Sequence, residues 1–278
     1  MIIYYYLVDM RAAMNHQNPI ITLRDLKKSY DGTTNVLKGI NLDIAPGQII
    51  GYIGPNGAGK TTTVKIMIGM IPEFSGEVRV FGLNISDHAQ DVKKRIGYVP
   101  ETAALYETLT PNEFLRFLGQ IHEIPGPEIQ KRAADMLHLF GLKENADARM
   151  TSFSKGMKQK VLIIASMIHD PDILFMDEPL SGLDANMMVV VKEILSRLAA
   201  KGKTIFYCSH VMDVVERVCD RIVIIDKGAI IADGTFDELQ GMNKGESLER
   251  IFTQLTGSSG QDRLAEEFIS AFERDRKP

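Results

Sequence analysis

Residues 54 to 62 read GPNGAGKTT, with Gly54, Gly59, Lys60 and Thr61 in the spacing G-x-x-x-x-G-K-[ST]. Chemistry on a phosphate needs this arrangement. Glycines let backbone N–H groups turn inward around the oxygens, and a helix that starts at the loop points its positive end at them. Lys60 adds a mobile ammonium for the outer phosphates, and the Thr61 hydroxyl is a hard oxygen ligand for Mg²⁺. Pro55, Asn56, Gly57, Ala58 and Thr62 complete the expected cradle.

A second cluster is ILFMDEP, where Asp177 and Glu178 leave an unbroken apolar run. Parallel sheets present catalytic groups at the carboxyl ends of their strands. Asp177 there would hold Mg²⁺ through water. Glu178 could act as general base, taking a proton from a water that attacks the terminal phosphate. The competing reading, in which both acids cap the next helix, is weakened by Pro179 and the intervening SGLD.

These groups need a scaffold of strands and helices. From Ile20 short apolar runs are broken by turn residues: ITLRDL, LKGINLDIA and QIIGYIG read as three strands, the first two as an antiparallel pair. A helix is expected from Lys60 to Gly69, ended by Pro72, and GEVRVFG reads as a further strand. Thr110-Pro111 opens a stretch, to about 152, whose apolar residues recur at three- and four-residue spacing, an all-helical insert. Then come a helix at about 155–168, a strand at 173–176, a helix over 186–200 and a strand at 204–209. A helix near 211–218, a strand at 221–226 and helical patterns in SLERIFTQL and RLAEEFISAFERD finish the chain. Strands alternating with helices predict an α/β fold with a parallel-sheet core, because strands buried on both faces read as continuous apolar runs.

The 278 residues suffice for one large α/β domain or a core with a smaller appendage. Lys and Arg total 32 against 36 Asp and Glu, a formal charge of -4, which gives no electrostatic reason to expect a nucleic-acid partner. Cys208 and Cys219 lie in no short metal-ligand spacing and read as small buried hydrophobes. The opening MIIYYYLVDM is apolar, but a bilayer span needs about 20 apolar residues and this run stops at Asp9 and Arg11. It also lacks the basic start of a secretory signal. Residues 1–18 read as an extension, with Met14 as an alternative start. No other window approaches a span, so membrane work would fall to a partner.

With these pieces in place, the chain from Ile20 to about Gly234 resembles the ATP-binding subunits of ABC transporters. FSKGMKQK, residues 153–160, is similar to the family's signature segment, and SKGMKQ is similar to a variant found in one branch of bacterial exporters. YVPE and SLERIFTQLTG resemble the ABC-2 type exporter branch as well. The resemblance implies a P-loop NTPase core with an antiparallel β subdomain and a helical subdomain at about 102–155, within an ATPase domain of residues 19–240. Residues 241–278 would form a C-terminal helical tail.

The resemblance also assigns roles. Ser154, Lys155 and Gly156 would contact ATP held by a second copy of the chain, with Asp184 of the SGLD segment. Tyr30 matches the aromatic that stacks on adenine, although a surface tyrosine in a turn would look the same. His210, after the strand TIFYC, matches the switch histidine that joins Glu178 and Lys60 in catalysis. Glu101 stands where the family usually carries Gln and would ligate Mg²⁺ or orient water. The implied machine is an ATPase using ATP and Mg²⁺, closing as a two-fold dimer and driving an integral-membrane permease from the cytoplasmic face. A soluble ABC ATPase acting as a mechanical switch is the alternative, but such proteins usually carry two ATPase halves or a long inserted coiled coil. A P-loop kinase or GTPase would leave FSKGMKQ and His210 unexplained, and NKGE at 243–246 is not the guanine-reading N-K-x-D.

Overall fold

A computed structural model describes residues 18–102, 105–242, 245–257 and Phe268. The readings of an extension with an alternative start at Met14 and of a helix in RLAEEFISAFERD fall outside these residues, Asn18 and Phe268 excepted.

Ile21–Ser29 (β1) and Asn35–Ile44 (β2) pair antiparallel, with Ser75–Val80 (β4) on the other side of β1 and the two-residue Leu83–Asn84 (β5) at the edge. The second sheet has six strands in the order β10-β9-β3-β8-β7-β6: Ala229–Gly234, Arg221–Asp226, Ile49–Ile53, Thr204–Cys208, Ile173–Asp177 and Ile96–Val99. All neighbours in it run parallel except β10, which folds back on β9.

The apolar runs that marked these strands are explained by burial on both faces. Alternate side chains of a strand point to opposite sides. Leu174 and Met176 of β7 join one core with Ile205 and Tyr207 of β8, while Phe175, Phe206 and Cys208 join the other. The second of these cores is closed by the antiparallel sheet and by helix α1, Lys60–Met67. Three features lacked a sequence signal. Helix α2 (Ile85–Lys93) is broken at His88, whose φ of -121° is not helical, so its period is interrupted. Strand β10 and helix α8 (Phe236–Met242) are short and partly exposed, with weak apolar patterns.

The first core extends into helices α3 (Pro111–Ile121) and α4 (Gly126–Leu139) and two 3₁₀ turns at Lys143–Asn145 and Met150–Ser152. Thr110 starts α3 with a capping box: its hydroxyl accepts from Glu113 N, and the Glu113 carboxylate accepts from Thr110 N. Leu115, Leu137, Phe140 and Met150 bury this segment against helix α5, Lys155–Met167. Helices α6 (Ala185–Ala200), α7 (Met212–Val218) and α9 (Leu248–Thr256) complete that layer, with Leu248 and Ile251 wholly buried.

Candidate nucleotide-binding site

The loop 54–59 links the C-terminal end of β3, in the middle of the large sheet, to the start of α1. Its shape depends on Gly59, whose φ of +110° suits no side chain and whose added Cβ would sit 2.6 Å from Leu37 Cδ2. The loop is tied to the β9–β10 turn through Gly228 N, which donates to Ala58 O at 3.0 Å. Lys60 folds back over it, donating Nζ–H to the carbonyls of Gly54 (2.6 Å) and Pro55 (3.2 Å). Thr61 donates its hydroxyl to Asp177 Oδ2 at 2.8 Å.

Asp177 ends β7 and is only 2% exposed. Burial raises its pKa, the Thr61 hydrogen bond and the Lys60 charge pull it down, and the charges of Glu101 and Glu178 push it up. A carboxylate stored in this setting gains from a cation beside it. Thr61, Asp177 and Glu101 line one cavity of about 550 Å³. The three are oxygen donors of the kind Mg²⁺ selects.

Glu178 follows in the left-handed region, with φ of +50°, a strain of about 1 kcal/mol or more for a non-glycine residue. The strain is held by the chain on both sides: Glu178 N donates to Cys208 O, and Ser181 N donates to Glu178 O. It turns the carboxylate toward the end of β8. There Ser209 Oγ donates to Oε2 at 3.0 Å, while His210 donates its backbone N–H (2.9 Å) and Nδ1 (2.7 Å) to Oε1. The carboxylate side chain is 12% exposed and the His210 ring 74% exposed, so the acid sits at the floor and the imidazole at the rim.

Tyr30 presents an exposed ring above the loop, its hydroxyl 3.3 Å from Thr62 Oγ1 and the Lys28 ammonium 5.0 Å from its centroid. The residues expected to act from a second chain lie at the starts of helices α5 and α6. Ser154 caps α5, accepting from Met157 N, and is exposed together with Lys155. Asp184 caps α6, accepting from Met187 N at 2.9 Å; that bond and Lys160 hold its pKa down. Among the described residues no hydrogen bond or ion pair joins 154–160 to 54–62.

The structure thus brings Lys60, Thr61, Glu101, Asp177, Glu178 and His210 together; Lys155 lines a cavity with Glu101, Glu178 and His210, Gly156 is half-buried against Gly182, and Ser154 and Asp184 are exposed at the starts of α5 and α6. It adds two residues that motif reading left aside. Ser209 holds Glu178, and Gln159, 3% exposed, donates to Pro179 O at 2.9 Å, pinning α5 to the loop after the carboxylates. A polar residue on the buried face of α5 was the available signal for Gln159.

Residues 37–181 match the ABC transporter family, and the chain is 39% identical over 232 residues to the linearmycin resistance ATP-binding protein LnrL of Bacillus subtilis, 84% of this chain and 74% of that one. The chain is a member of the ABC transporter family. It is an ATP-hydrolysing subunit of such a transporter, and among its described residues no helix is long and apolar enough to cross a membrane.

Other ABC relatives include the Nod factor export ATP-binding protein I of Ralstonia nicotianae, 38% identical over 221 residues (80% of this chain, 68% of that protein). NatA of Bacillus subtilis is 34% identical over 238 residues, 84% of this chain and 96% of that one. A solved ATP-binding subunit of an ABC transporter superposes with a TM-score of 0.80 at 33% identity, over 85% of this chain and 99% of its own. The ATP-binding cassette MJ0796, solved as a post-hydrolysis dimer bound to ADP and Pi, gives 0.73 at 25% identity, over 77% and 98%. The ABC ATPase fold, with its parallel core and antiparallel sheet, is therefore shared along most of the chain.

Proposed function

We propose that two copies of this chain close around two molecules of Mg-ATP and drive export through a membrane permease, acting from the cytoplasmic face of the membrane. The observation that carries this reading is the pair of carboxylates at the end of β7. Asp177 is hydrogen-bonded to the loop hydroxyl of Thr61, and Glu178 is held by His210 at 2.7 Å. Two adjacent acids with separate partners can divide the work of binding and proton transfer.

In this reading the N–H groups of 54–62 and the Lys60 ammonium, released from its carbonyls, hold the phosphates, and Tyr30 stacks on the adenine. Thr61, Asp177 and Glu101 would hold Mg²⁺, which supplies charge neutralisation at the phosphate oxygens. Glu178 accepts the proton of the attacking water. Its Oε1 already takes two N–H groups from His210, whereas Oε2 takes only the Ser209 hydroxyl among the described residues and keeps a lone pair for that proton. The water oxygen bonds to the γ-phosphorus, the bond to the bridging oxygen breaks, and ADP and phosphate remain.

Ser154 and Gly156 at the start of α5, with Asp184, would reach the nucleotide of the second copy. The separation of residues 154–160 from the loop of their own chain supports this, as does the dimeric state of MJ0796. Export is supported by the names of the relatives concerned with resistance and Nod factor export.

The test is Glu178→Gln in the full chain. Its ATP binding is expected to persist while turnover falls about 10²- to 10⁴-fold, and light scattering with Mg-ATP is expected to find a dimer. A strictly monomeric ATP-loaded variant overturns the sandwich; wild-type turnover overturns Glu178 as base.

A further inference from the structure

The Lys155 side chain has a destination within its own chain. Its Nζ donates to Ser181 Oγ at 2.8 Å. Its stem crosses Gly182, where an added Cβ would lie 3.2 Å from Lys155 Cγ and 3.3 Å from Cδ. The next residue, Gly156, comes so close that a Cβ there would stand 2.4 Å from Gly182 O. Gln159 and Lys160, one turn further along α5, engage Pro179 O at 2.9 Å and Asp184 Oδ2 at 3.7 Å. One face of α5 therefore holds the whole segment that follows Glu178.

Ser181 is the short link. Its hydroxyl takes the Lys155 ammonium, and its backbone N–H donates to Glu178 O at 3.1 Å. Glu178 has the strained φ of +50°, and a strained residue keeps its conformation only while its neighbours hold it. Lys155, Glu178, Ser181 and His210 also line one cavity of about 500 Å³.

We propose that Lys155 is a positioning residue for Glu178, acting through Ser181, and not a ligand of the phosphate on the second copy. Resting on the composite-site reading above, this has a consequence for the dimer. Ser154, which caps α5, would meet the nucleotide of the opposite site, while Glu178 serves its own. The Lys155–Ser181 bond then reports occupancy of one site to the general base of the other, and the two sites fire together.

The test uses the full chain and four changes: Lys155→Met, which keeps the apolar stem over Gly182 and removes the ammonium, Lys155→Arg, Ser181→Ala and the Met/Ala double variant. Steady-state ATPase is measured on each, and ATP-induced dimerisation is measured with each change placed in the Glu178→Gln chain. Lys155→Met and Ser181→Ala are each expected to lower kcat about tenfold and bring the Hill coefficient toward one, with KM and the dimerisation midpoint moved less than about twofold. Two residues joined by one bond act as a unit, so the double variant is expected to lose no more than either single one. Lys155→Arg is expected to recover most of the turnover.

Two results overturn the proposal and leave the sandwich standing. One is a dimerisation midpoint raised about tenfold by Lys155→Met and untouched by Ser181→Ala, the behaviour of a phosphate ligand. The other is a double variant whose loss is the product of the two single losses. A Glu178→Gln chain that stays monomeric with ATP removes the composite site itself, and the proposal falls with it.

Discussion

The imidazole of His210 and the carboxylate of Glu178 meet at 2.7 Å, one at the rim and one at the floor of the site, and they come from adjacent strands. Register explains the meeting. Asp177 pairs with Cys208 across β7 and β8, so the residues just beyond each strand arrive side by side. His210 supplies two of the three donors on Glu178 and Ser209 the third.

His210→Ala removes only the ring donor, since the backbone N–H stays. Turnover is expected to fall about 10- to 100-fold with KM for ATP little changed, because a base that is present but poorly aimed loses transition-state and not ground-state binding. Ser209→Ala is expected to cost less. Steady-state kinetics on both variants checks the order; a Ser209→Ala loss larger than that of His210→Ala contradicts it.

Asp177→Asn is expected to abolish turnover and yet leave the nucleotide-free chain as stable as before, or more so. Burial raises the pKa of Asp177, so its charged form is disfavoured in the folded state and contributes less stability as pH rises. The neutral amide removes that cost. Thermal melts at pH 7 with and without Mg-ATP check it: the apo midpoint holds or rises, and the shift on adding Mg-ATP shrinks.

His169 and His122 stack at 3.7 Å between ring centroids beside β6. His169 donates Nε2–H to Ile96 O, while its Nδ1 is buried with no hydrogen-bond partner among the described residues. Burial first, then the neighbouring His122 ring, lowers its pKa to about 4; Asp170 opposes the shift and Lys203 adds to it. Burial lowers His122 too. Between the unfolded histidine value of about 6.5 and about 4 the unfolded chain binds protons that the folded chain refuses. Stability from this pair is full above about pH 6.5 and is lost as pH falls through that window. His169→Gln keeps a donor for Ile96 O and does not titrate, so its melting profile is expected to be flatter between pH 6.5 and pH 4. Parallel profiles for variant and wild type count against this account.

Leu137 is wholly buried where α4 meets α5. Leu137→Ala is expected to destabilise the fold by about 2–5 kcal/mol, through lost apolar burial and the cavity left behind. Denaturant unfolding measures this, and a loss below about 1 kcal/mol means that the helical segment contributes little to the cooperative unit.

Local chemistry made much of this protein readable from its residues alone. GPNGAGKTT, the apolar run into Asp177-Glu178 and the cap at Thr110-Pro111 each carry their meaning within a few residues, because loop geometry, strand burial and capping are short-range. They disclosed an α/β ATPase core and a helical segment. Tertiary structure alone decided the partners. That Thr61 bonds Asp177, 116 positions away, and that Ser209 and His210 clamp Glu178, follows from the strand order of the large sheet, in which β8 lies between β3 and β7. The same holds for Lys155, whose ammonium finds Ser181 only because two glycines let α5 and the loop after Glu178 touch. Spacing along a chain sets what a residue can do; the sheet order and the close approach of backbones set what it does it to.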